Sequence, residues 1–174
     1  MSQDLRFPIG EFDTGIEITP AIRKEFIETI SSLPEKLIDA VGNLSDQQID
    51  TEYRPEGWTV RQLVHHIADS HLNAYSRFKL ALTEENPTIR PYAEAEWAKL
   101  SDSRMPLESS IKIIQGIHAR WTEILQSMTD VDFQRKLHHP ETGDWTLEKM
   151  LGSYDWHSKH HLAHITELVK RENW

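Results

Sequence analysis

Four histidines fall within eight residues near the end of this chain, in Trp156-His-Ser-Lys-His-His-Leu-Ala-His164. His157, His160, His161 and His164 make two overlapping pairs four residues apart, 157/161 and 160/164. On an α-helix such pairs stand one turn apart on the same face, so either can grip one metal ion. A third donor has to come from elsewhere, and Trp58-Thr-Val-Arg-Gln-Leu-Val-His-His-Ile-Ala-Asp-Ser-His71 offers His65, His66 and His71. An ion held by three imidazoles keeps coordination positions open, the arrangement of a catalytic rather than a structural metal. A single histidine is more often a satisfied core or surface residue than a ligand. Several imidazoles buried together, however, are costly without a partner, and a metal ion offsets that cost. Closure of the site by a fourth protein ligand, His157 or His161, would instead make a metal-binding protein without turnover.

Spacing alone does not choose the ligands. At about 100° per residue, His161 points into the apolar arc of the last helix, His157 near its edge, and His160 and His164 beside it. In the upstream segment His71 points towards the apolar arc, His66 flanks it and His65 faces the other way. Both downstream pairs therefore stay open, and His71 ranks level with His66. Asp69, one turn after His66, has the position to orient that imidazole, or it is a solvated carboxylate. His157 and His161 are candidates for proton transfer near neutral pH. His138-His139 reads as an exposed loop bounded by Pro and Gly, and Glu167 as a solvent-facing charge.

A chain of 174 residues suits one domain spanning 1–174. Its net charge of −9, with no long Lys/Arg run, argues against nucleic acid as a partner. No apolar run approaches the roughly 18 residues of a membrane span. The start, Met-Ser-Gln-Asp-Leu-Arg-Phe-Pro, lacks signal-peptide character. A soluble, cytoplasmic protein is expected. There is no cysteine, so any metal is held by nitrogen and oxygen, and any thiol must be supplied by a cosubstrate.

The elements that position these residues are helical. Thr19-Pro20 opens a helix to about Val41, whose apolar positions Ile22, Phe26, Ile30, Leu33, Leu37 and Val41 step by three and four. Pro34 inside it should kink or break it. A short capped piece follows at Ser45–Ile49, then helices over about 59–82, 107–128 and 147–171, with one or two turns within 93–100. Two stretches echo one another: Leu44-Ser-Asp leads to Trp58-Thr-Val, and Met128-Thr-Asp leads to Trp145-Thr-Leu. The expectation is an all-α four-helix bundle with almost no sheet. Its 83–106 crossover makes the second and third helices parallel, an up-down-down-up arrangement.

These residues resemble the DinB-like superfamily of four-helix metalloproteins, and within it the YfiT group of metal-dependent hydrolases of Bacillus-type bacteria. The likeness covers nearly the whole chain, through Phe7-Pro-Ile-Gly-Glu, Gly57-Trp-Thr-Val-Arg-Gln-Leu-Val-His-His-Ile-Ala-Asp, Arg77-Phe-Lys-Leu, Ile89-Arg-Pro-Tyr and Trp156 to Leu168. It implies that His66, His160 and His164 bind one zinc or nickel ion per subunit. It also implies the up-down-down-up bundle and a homodimer.

Two chemistries follow for a three-histidine ion acting on a small-molecule substrate. Activation of water gives a hydrolase. Capture of a low-molecular-weight thiol, bacillithiol in such bacteria, gives a thiol S-transferase, a use the resemblance also implies.

Overall fold

The computed structural model describes residues 4–174. Helix α1 runs over Pro20–Val41, with the Thr19 hydroxyl accepting from the Ile22 amide. Short α2, Asp46–Ile49, is closed by a reciprocal capping box between Ser45 and Gln48. The same device, Thr59 with Gln62, opens α3, Val60–Thr83. The crossover carries α4, Glu94–Trp97, and a 3-10 turn at Ser101–Arg104. Helix α5 spans Glu108–Ser127, and α6, Asp130–Phe133, is boxed by Thr129 and Asp132. A hairpin of β1, Lys136–His139, and β2, Gly143–Thr146, leads into α7, Leu147–Glu172.

The internal echo is structural. Glu52 bridges Thr59 ahead of α3 as Lys136 pairs with Thr146 ahead of α7. In both cases the threonine is the N-cap of the long helix that follows. Two differences from expectation stand out. His138 and His139 lie on a strand, because their backbone pairs with Asp144 and Gly143 across the hairpin. And Pro34 does not break α1, which runs through it uninterrupted. The Ile30 carbonyl, left without its helical donor, is bonded instead by Nδ1 of His118.

Named contacts fix the direction of the four long helices. Arg23 meets Glu148, and Phe26 lies against Gly152, so α1 and α7 run parallel. His66 meets His157, while Ser70, farther along α3, meets Tyr154, farther back on α7; these two helices are antiparallel. His65–Ser110, His71–His118 and Phe78–Trp121 make α3 and α5 parallel. The bundle is up-down-down-up.

The apolar interior is divided in two. One cluster includes Phe26, Ile30, Phe78, Trp121, Leu147 and Tyr154. The other includes Leu33, Leu37, Val64, Ile67, Ile114 and Ile165. Along α3, His71 falls between Ala68 and Ala74; along α5, His118 falls between Ile114 and Trp121; along α7, the four histidines fall between Tyr154 and Ile165. The histidines thus form a polar layer across the bundle. Apolar packing above and below fixes the helices that carry it.

Candidate metal centre

Helix α7 brings His157, His160, His161 and His164 to one face, opposite His66 and His71 of α3. Nε2 of His66 lies 3.1 Å from Nε2 of His157. His164 Nδ1 lies 3.3 Å from His161 Nδ1. Two sets of three imidazoles have ligand atoms within 4.8 Å of one another: His66, His157 and His161, and His160, His161 and His164. His66 thus falls in one set and His160 with His164 in the other, and His161 joins them. The wall is aromatic: Trp58 lies against His66, Tyr53 stacks on His164 at 4.0 Å, and Trp156 stacks on His160 at 4.3 Å between ring centroids.

The amino-terminal segment crosses this face. The carbonyl of Arg6 accepts from His164 Nε2 at 3.1 Å, and that of Gly10 accepts from the Trp156 indole at 3.0 Å. Because Nε2 of a neutral His164 carries the proton, its Nδ1 is a bare lone pair directed into the cluster. A metal-binding imidazole characteristically donates its other N–H to such an oxygen, which fixes its orientation and raises its basicity.

Charge is excluded from the layer. Burial, then the neighbouring His160, holds His66 down to about 4. Burial alone does the same for His160, and burial with His160 beside it for His164. His157 and His161 are pushed well below their ordinary value, first by burial and then by other imidazoles. At neutral pH these rings are neutral and offer lone pairs. Among the described residues His160 Nδ1 is buried without a hydrogen-bond partner, and an orphaned buried nitrogen costs about 1–3 kcal/mol. An all-nitrogen set of neutral imidazoles with an unsatisfied member fits a divalent transition ion such as zinc or nickel.

The remaining candidates are placed elsewhere. His65 is fully used, Nδ1 by Ser110 and Nε2 by the Met105 carbonyl. Both nitrogens of buried His71 are occupied by His118 and His157, so it has no free lone pair for an ion. The half-buried Asp69 makes no hydrogen bond to His66; its carboxyl is raised by burial and then by Asp102. His138 pairs with Asp144 in the hairpin. Glu167 lies 3.8 Å from Lys170. His118 carried no signal in the sequence, since only the packing of α5 brings it to the layer.

A cavity of about 220 Å³ reaches the layer from solvent, lined by Ser70, Arg77, Glu94, His139, Tyr154 and His157 among others. Within it, burial raises the Glu94 carboxyl, which Arg77 partly opposes. A larger groove of about 750 Å³ lies among Asp46, Arg61, Gln62 and Pro106 and is lined by none of the imidazoles.

Comparison with known proteins places this geometry. The DinB superfamily profile matches residues 29–165. The chain belongs to the DinB superfamily. It is 51% identical over 169 residues to an Oceanobacillus iheyensis protein named "Putative metal-dependent hydrolase OB0782", covering 97% of this chain and 98% of that one. A Bacillus cereus relative (strain 03BB102) with the same kind of name is 49% identical over 171 residues, covering 98% and 99%. The solved structure of YfiT from Bacillus subtilis superposes with a TM-score of 0.94 at 49% identity over 98% of both chains. That protein was described as a probable metal-dependent hydrolase with an unusual four-helix bundle topology. In this DinB chain the histidine layer stands where the two halves of the core meet, and no helix of the described residues is long and apolar enough to cross a membrane.

Proposed function

We propose that this protein is a metal-dependent hydrolase in which His66, His160 and His164 hold one divalent ion, zinc or nickel. The observation that carries the reading is a cluster of buried, neutral imidazoles with hydrogen-bonding capacity left unused. The Arg6 carbonyl turns the proton of His164 outward, and His160 keeps a buried nitrogen without a partner among the described residues. The names of the relatives support the same class of chemistry.

When bound, such an ion would act as a Lewis acid, lowering the pKa of water to about 7 and polarising a carbonyl or phosphoryl oxygen. The chain contributes the rest. Trp58, Tyr53 and Trp156 fix the imidazole planes and exclude bulk water. His157, on the wall of the 220 Å³ cavity and 3.1 Å from His66, holds or takes a proton beside the reacting group. His161, within both histidine sets, is the second residue so placed.

The test is to load the protein with zinc or nickel and assay a panel of small esters and amides with and without a chelator. Chelator-sensitive hydrolysis supports the reading. Chelator-sensitive loss of bacillithiol in the presence of an electrophile, without hydrolysis, would make the protein a thiol S-transferase. The chain, lacking cysteine, would then take its thiol from outside.

A further inference from the structure

Three imidazoles beyond the proposed ligands form one continuous chain across the bundle. The Ile30 carbonyl of α1 meets His118 Nδ1 at 2.5 Å. His118 Nε2 meets His71 Nδ1 at 2.9 Å, and His71 Nε2 meets His157 Nδ1 at 3.1 Å. His157 Nε2 then meets His66 Nε2 at 3.1 Å. Helices α1, α5, α3 and α7 each contribute a member.

The chain has a direction, which follows from its first atom. A carbonyl oxygen only accepts, so His118 Nδ1 carries a proton. A neutral imidazole has one N–H, which leaves His118 Nε2 bare, and His71 must donate to it from Nδ1. His71 Nε2 is then bare, and His157 must donate from its own Nδ1. The last atom, His157 Nε2, is therefore bare and accepts the 3.1 Å hydrogen bond that His66 donates from Nε2. Neutrality follows from the partners as well as from burial. Among the described residues every hydrogen bond of these three rings goes to a carbonyl or another imidazole, and no carboxylate balances a charge. Ile30 is free to anchor the chain because Pro34, four residues on, has no N–H to give it.

We infer that the Ile30 carbonyl, His118 and His71 form a tautomer relay, and that His118 and His71 are positioning residues fixing His157 with a bare Nε2 at the metal-site end. This gives His157 the state required of a proton acceptor there, whichever substrate is bound. Its value to catalysis rests on the hydrolase reading; the tautomers themselves do not.

The relay is read directly by two-bond proton–nitrogen NMR correlations of the histidine rings, recorded on zinc-loaded and zinc-free protein. The expected result is a single N–H, on Nδ1, for each of His118, His71 and His157. A proton on Nε2 of His71 or His157 in the wild type overturns the inference, and this needs no variant to fold. In His118→Leu the anchor is lost, and His71 and His157 should become mixtures of both tautomers while zinc stays bound. His118→Gln, whose amide both donates and accepts, should restore the single form. An unchanged His157 tautomer in folded His118→Leu overturns the relay, as does loss of zinc together with the tautomer, which would mark His118 as merely structural. Wild-type protein that binds no zinc but shows the expected tautomers would remove the hydrolase reading and leave the relay standing.

Discussion

His118 of α5 bonds the Ile30 carbonyl that Pro34 of α1 leaves without a helical donor. A proline inside a helix costs about 3 kcal/mol through its lost hydrogen bond and its ring clash. Here the orphaned acceptor is reused by a buried side chain. The two residues should be thermodynamically coupled. In a double-mutant cycle by urea denaturation, His118→Ala should cost about 1–2 kcal/mol more in the wild type than in Pro34→Ala, where an amide again serves Ile30. Additive costs would mean that the bond contributes nothing net.

Metal content should sort the histidines. His66→Ala, His160→Ala and His164→Ala should each remove most bound zinc or nickel, as measured by elemental analysis after gel filtration. His138→Ala and His139→Ala, on the hairpin, should bind as the wild type does. Full retention by the His66 variant would shift the assignment to the set without it, His160, His161 and His164.

Chelation should lower the melting temperature while leaving helical circular dichroism intact at room temperature. The two apolar clusters on either side of the layer contain none of the histidines, so metal should add stability by mass action instead of creating the fold. Collapse of the helical signal on adding EDTA would instead make the ion structural.

Acid should destabilise the metal-free protein through the same layer. Burial holds His66, His118 and His160 down to about 4 in the fold, whereas an unfolded chain titrates its histidines near about 6.5. Below that pH the unfolded chain binds protons that the folded one refuses. Stability is therefore fully present above about pH 7 and falls between about 6.5 and 4. By pH 5 one such group costs about 2 kcal/mol. Because a protein of this size loses about 2–4 °C per kcal/mol, several together should lower the melting temperature by more than about 10 °C relative to pH 7. A flat profile down to pH 5 would show that the rings are charged or solvated in the fold.

Thr59→Ala should cost about 1 kcal/mol by removing the hydroxyl that accepts from the Gln62 amide and caps α3, while the bond from the Thr59 amide to Gln62 Oε1 is kept. The effect is read as a shift in the denaturation midpoint, with little change in metal content. A neutral substitution would mean that the Glu52–Thr59 bridge alone sets the helix start.

The sequence by itself determined the four long helices and where they begin. Thr19, Thr59 and Thr146 are local caps, and apolar steps of three and four are local periodicities, so both need only neighbours a few residues away. It also placed the histidines at helical spacing and, through the long crossover, gave the direction of α3 and α5. The hairpin was not legible, because the pairing of β1 with β2 depends on a register that the short segment around His138 does not announce. Nor was the role of His118. A lone histidine on an amphipathic helix has no partner until α1 and α3 are packed against it, and its partner on α1 is a carbonyl, which no side-chain pattern encodes. Pro34 read as a helix breaker for the same reason: the bond that compensates it comes from another helix. Helix formation is governed by contacts within a turn. Which imidazoles meet, and which nitrogens face inward, is governed by contacts between residues about 40 to 160 positions apart, and only the tertiary structure decides those.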